Sequence, residues 1–62
     1  MKRTYRIYVF CPALKRSRSY PVRARSKNAA WRIALRRFFS RFPEVLERGL
    51  AVDGGWHPEK AR

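Results

Sequence analysis

Residues 1–43 contain neither aspartate nor glutamate. The four acids of this 62-residue chain all lie beyond them, at Glu44, Glu47, Asp53 and Glu59. Thirteen lysines and arginines fall in the acid-free part and three in the remainder, so a net charge of +12 is carried almost wholly by the first two thirds. Cysteine occurs once, at Cys11, and histidine once, at His57. One thiol excludes an internal disulfide framework, and one thiol with one imidazole excludes a zinc knuckle. No metal or other cofactor is therefore expected. No apolar run approaches the roughly 18 residues of a membrane-spanning helix. The basic start MKRTYRIYVF has too short an apolar stretch, and no small-residue cleavage site, for a secretory signal. A cytoplasmic protein that does not engage membranes is the expectation, and a single cysteine fits a reducing compartment.

Several catalytic constellations are missing as well. There is no Ser/His/Asp set and no pair of carboxylates placed for acid–base work. Asp-Gly-Gly at 53–55 lacks the lysine and spacing of a phosphate-cradling loop. An enzyme is not expected.

What is present is apolar content of 45%, including nine aromatic residues. That is too much for a disordered basic tail. A chain of this length makes one domain, residues 1–62, that buries only about 60% of its unfolded surface. Arginine outnumbers lysine twelve to four. Arginine's planar fork matches phosphate and stacks on rings in a way that an ammonium does not.

TYRIYVFC, residues 4–11, alternates between two faces and is rich in β-branched and aromatic residues, which predicts a strand ended by Pro12. Tyr5, Ile7, Val9 and Cys11 form one face. Thr4, Arg6, Tyr8 and Phe10 form the other. Residues 12–18 read as a basic loop, with Lys15, Arg16 and Arg18 at the hairpin tip. RSYPVRAR, residues 18–25, reads as a second strand, with Tyr20, Val22 and Ala24 opposed to Ser19, Pro21, Arg23 and Arg25. Pro21 has no donor for a central ladder and marks an edge strand.

Ser26 is a suitable N-cap for a helix. In that helix Ala30, Trp31, Ala34, Leu35, Phe38 and Phe42 form an apolar stripe, and Arg32, Arg36 and Ser40 lie opposite. Trp31, Ala34, Leu35 and Phe38 are expected to be buried against Ile7, Val9 and Val22. Pro43 ends the helix. A single helical turn follows, closed by Gly49. Residues 50–52, Leu-Ala-Val, suggest a short third strand, DGG a turn, and 53–62 an irregular tail. The resulting fold class is α+β, a small two-layer β-β-α-β sandwich with strand order 2-1-3. The run VRARSKNAAWRIA, residues 22–34, resembles the strand-then-helix step of small β-β-α modules, some ribosomal proteins among them. That resemblance implies the local fold and no residue's role.

If the helix covers the odd face of the first strand, the rings of Tyr8 and Phe10 stand among arginines on an uncovered surface. Rings interleaved with guanidinium groups are the chemistry of base stacking with phosphate contact. The expected function is a non-enzymatic nucleic-acid-binding module, for RNA or DNA. Its expected contacts are Arg6, Tyr8, Phe10, Lys15, Arg16, Arg18, Arg23, Arg25, Arg32 and Arg36. The alternative is a protein-interaction module that docks an acidic partner, or a second copy in a weak homodimer, through a sheet edge. A small toxin-type ribonuclease is a third class. The lack of acids on both strand faces, the loop and the helix alike favours nucleic acid. The charge split further predicts a near-neutral region formed by residues 44–62, set apart from the basic surface.

Overall fold

A computed structural model describes residues 2–58. The elements run β1 (Arg3–Cys11), β2 (Arg16–Ala24), α1 (Lys27–Arg41), α2 (Glu44–Glu47) and β3 (Asp53–Pro58). The sheet order is β2-β1-β3, and both outer strands run antiparallel to β1. The expected α+β architecture and strand order are therefore present, with Pro21 on an edge strand. Among the described residues no helix is long and apolar enough to cross a membrane.

The alternation of β1 decides which face is covered. Tyr5, Ile7, Val9 and Cys11 are buried together with Val22 and Ala24 of β2, and α1 closes this layer with Ala30, Ala34 and Phe38. Ser26 caps α1 from extended backbone (φ −147°, ψ 163°), its Oγ accepting from the Ala29 N–H at 3.2 Å. The helix contact is narrower than its sequence suggests. Only the i, i+4, i+8 line of Ala30, Ala34 and Phe38 is fully covered, whereas Trp31 and Leu35 are half-buried. Two alanines on the line let the helix approach the sheet closely. Three strands span only about 10 Å, no wider than the helix itself, so large side chains flanking the line keep one side in solvent.

Two segments differ from their sequence reading. The hairpin connection is shorter: β2 begins at Arg16, opposite Cys11, and the turn is confined to residues 12–15. It closes with the Lys15 N–H donating to the Pro12 carbonyl at 3.2 Å, and Lys15 takes a left-handed conformation at φ 52°. A side chain with a Cβ is strained there by about 1–2 kcal/mol. Lys15→Gly is accordingly expected to raise the melting temperature by a few degrees, since 1 kcal/mol corresponds to about 4–8 °C in a domain this small. A thermal melt followed by circular dichroism reads this directly, and an unchanged or lower midpoint would remove the strain argument.

The third strand is Asp53–Pro58 rather than 50–52, so DGG is strand and not turn, and the supposed tail supplies a sheet edge up to Pro58. The residues of that tail beyond Pro58 lie outside the described ones. The cause is partly upstream. α2 ends in a Schellman-type turn, with the Gly49 N–H on the Leu46 carbonyl at 3.2 Å, the Leu50 N–H on the Val45 carbonyl at 2.9 Å, and Gly49 at φ 61°. The Leu50 donor is thus committed to the turn, and Leu50 and Val52 pack against the core as half-buried side chains instead. Gly54 is in turn required where it lies. A Cβ there would collide with the Tyr8 carbonyl oxygen and come within 2.8 Å of the Trp31 ring. A glycine that reads as a turn is here the point where backbone and tryptophan meet over the strand.

Candidate nucleic-acid interface

The face of the sheet away from α1 is assembled by register. Along β1 it presents Thr4, Arg6, Tyr8 and Phe10. These lie opposite Arg23, Pro21, Ser19 and Ser17 of β2, respectively. On the other side Arg6, Tyr8 and Phe10 face His57, Gly55 and Asp53 of β3. Tyr8 remains 40% exposed and Phe10 42% exposed. Short neighbours contribute: Ser19 and Gly55, whose Cβ would meet nothing within 4 Å, flank Tyr8, while Ser17 and Asp53 flank Phe10. The Tyr8 ring has one aromatic contact, edge-on with His57 at 5.2 Å between centroids.

Trp56 does not cover these rings. It pairs with Ile7 in the ladder and therefore faces the helix layer, where it packs edge-on against Tyr5 at 5.6 Å with the Lys27 ammonium 5.3 Å from its centroid. The rings of Tyr8 and Phe10, with Val9, Ser17, Arg18 and Ser19, line an open hollow of about 470 Å³.

The ten residues singled out from sequence do not share one surface. Arg6, Tyr8, Phe10 and Arg23 come together on the open sheet face. Arg25 follows directly after β2 and is exposed at the corner leading into α1. Lys15 lies in the tight turn. Arg16 and Arg18 are not part of a flexible loop; they belong to β2, opposite Cys11 and Val9, which turns them towards the helix layer. The Arg18 guanidinium lies 5.5 Å from the centre of the half-buried Phe42 ring, and Arg41 approaches the same ring at 5.5 Å. Arg32 and Arg36 are exposed on α1, in the layer behind the sheet.

Part of the near-neutral segment, residues 53–58, joins the basic sheet rather than standing apart. As β3 it pairs with β1 and brings Asp53 beside Phe10 on the open face, its Oδ1 accepting from the Gly54 N–H at 3.0 Å. Strand pairing, not chain position, sets where that charge goes.

Sequence reasoning missed Ser17, Ser19, His57 and Asp53. The first two were legible in principle, because a four-residue turn after Cys11 brings them opposite the rings. His57 and Asp53 had no local signal, since the strand that carries them reads as turn and tail. Comparison of the chain with protein-family models, curated proteins and solved structures finds no match.

Proposed function

We propose that this chain is a nucleic-acid-binding module, acting without catalysis, that receives an unpaired strand on the open face of its sheet. The observation that carries the reading is the pair Tyr8 and Phe10, adjacent on one face of the central strand and left exposed by short neighbours, with Arg6 and Arg23 on the same face. Residues two apart on a strand are separated by about 6.8 Å. Stacked neighbours in a duplex rise by about 3.4 Å per nucleotide along each strand. Bases that stay stacked on each other cannot therefore meet one ring each, whereas an extended, unstacked strand can. Every base has a π-face, so such a platform tolerates many sequences. The arginines supply phosphate contacts, which position the strand without reading it.

The test is a gel-shift panel of single- and double-stranded DNA and RNA of equal length at two salt concentrations. Single strands are expected to bind more tightly than duplexes, with affinity falling as salt rises. Absence of binding to any of them at low salt would end this reading and favour an acidic protein as the partner.

Placement of the arginines adds a second measurement. Arg23→Gln with Arg25→Gln is expected to weaken every ligand and to lower the magnitude of the salt slope by about 0.7 per lost single-strand contact. Arg32→Gln with Arg36→Gln, on the helix behind the sheet, is expected to leave that slope nearly unchanged. Equal effects of the two pairs would mean that the strand wraps both layers.

A further inference from the structure

We infer that Ser17 and Ser19 are base-reading residues, whose hydroxyls bond the polar edges of the two bases stacked on Phe10 and Tyr8. The inference rests on the nucleic-acid reading above and adds to it a source of selectivity that neither stacking nor phosphate contact provides.

Three observations meet at these serines. The first is register: Ser17 lies opposite Phe10 and Ser19 opposite Tyr8, so each ring has one hydroxyl beside it on the neighbouring strand. The second is shape. Tall rings on β1 next to short side chains on β2 make a step, and the hollow they line, at about 470 Å³, lies within the range of roughly 300–1,000 Å³ usual for small-ligand sites. A base laid against a ring there would turn an edge towards β2. The third is that both serines are exposed and that neither hydroxyl has a hydrogen-bond partner among the described residues.

The residue type is itself informative. Serine is a poor strand former beside threonine or valine, and edge strands are ordinarily blunted by charged side chains. This edge carries arginine at 16, 18 and 23, yet has serine at the two positions that face the rings. A longer side chain at either would fill the hollow. A hydroxyl donates one hydrogen bond and accepts two, so it can meet a donor or an acceptor on a base edge. The predicted selectivity is accordingly for bases with polar edges over apolar shapes that stack equally well, and it is modest.

Fluorescence anisotropy on two oligomers of equal length and charge isolates it. One is oligo-deoxythymidine. In the other, difluorotoluene, which keeps the shape of thymine but lacks its hydrogen-bonding groups, replaces each base. Because the substitute stacks differently from thymine, the informative quantity is the ratio of the two affinities in the wild type divided by that ratio in Ser17→Ala/Ser19→Ala. This quotient is expected to be about two- to tenfold per hydroxyl, the net worth of one hydrogen bond. A quotient of one, with both oligomers bound, would overturn the reading role while leaving the stacking platform standing. Failure of the wild type to bind either oligomer at low salt would instead overturn the nucleic-acid reading and this inference with it. The substituted serines are exposed, and matched thermal melts are the check that both proteins are folded.

Discussion

Phe38→Ala is expected to remove about 3–5 kcal/mol, a large part of the chain's stability. Phe38 is fully buried at the end of the line that α1 lays on the sheet, and its ring packs on Phe42 at 4.9 Å between centroids. Truncating a buried phenylalanine costs about 3–5 kcal/mol, as lost transfer energy plus the cavity left behind. A domain of this length has only about 3–9 kcal/mol in total. The alanines at 30 and 34 offer no side chain that could move in to fill the gap. Urea titration followed by circular dichroism measures the loss, and Leu46→Ala is the control. Leu46 is 63% exposed, and its truncation is expected to shift stability by no more than about 0.5 kcal/mol. A Phe38→Ala protein that melts within a degree or two of wild type would show that the core is organised around other side chains.

The largest effect on binding is expected from the two rings of the open face. Tyr8→Thr with Phe10→Thr removes both stacking surfaces and keeps β-branched residues in the strand, so the sheet is preserved. Each stacked base contributes about 1–3 kcal/mol by ring removal. Across two bases the single-strand affinity is expected to fall by roughly 30-fold or more, which corresponds to about 2 kcal/mol at the lower end of that range. The salt slope should persist, because the phosphate contacts are untouched. On the proposed reading a duplex does not reach the rings, so its binding should hardly change. Equal losses on single strands and duplexes would remove the stacking role and reduce the face to an electrostatic one.

The core that Phe38 closes and the two rings lie on opposite faces of β1, and that division was legible in the sequence. The alternation of residues 4–11 separates Ile7 and Val9 from Tyr8 and Phe10 without any structure, because side chains on a strand point to opposite faces by geometry. The position of Ser26 before an apolar stripe marks the helix for a similarly local reason, since a hydroxyl in extended backbone satisfies an otherwise orphan N–H. Pro21 marks an edge because it has no donor to give. Each of these readings concerns a residue and its immediate chain neighbours.

What lay out of reach depended on partners far along the chain. Asp53–Pro58 looks like turn and tail because two adjacent glycines disfavour a strand locally. It becomes one because β1 has a second free edge and because Gly54 alone tolerates the close approach of Trp31 and the Tyr8 carbonyl. Arg16 and Arg18 look like loop residues until the four-residue turn draws them into β2 and points them at the helix layer. Local pattern was enough for the buried and open faces of β1, the capped helix, the acid-free basic stretch of residues 1–43 and the presence of two rings among arginines. Which serines, glycine, histidine and aspartate stand beside those rings follows from the assembled sheet, because cross-strand neighbours are set by register, and register is a property of the paired strands rather than of either one alone.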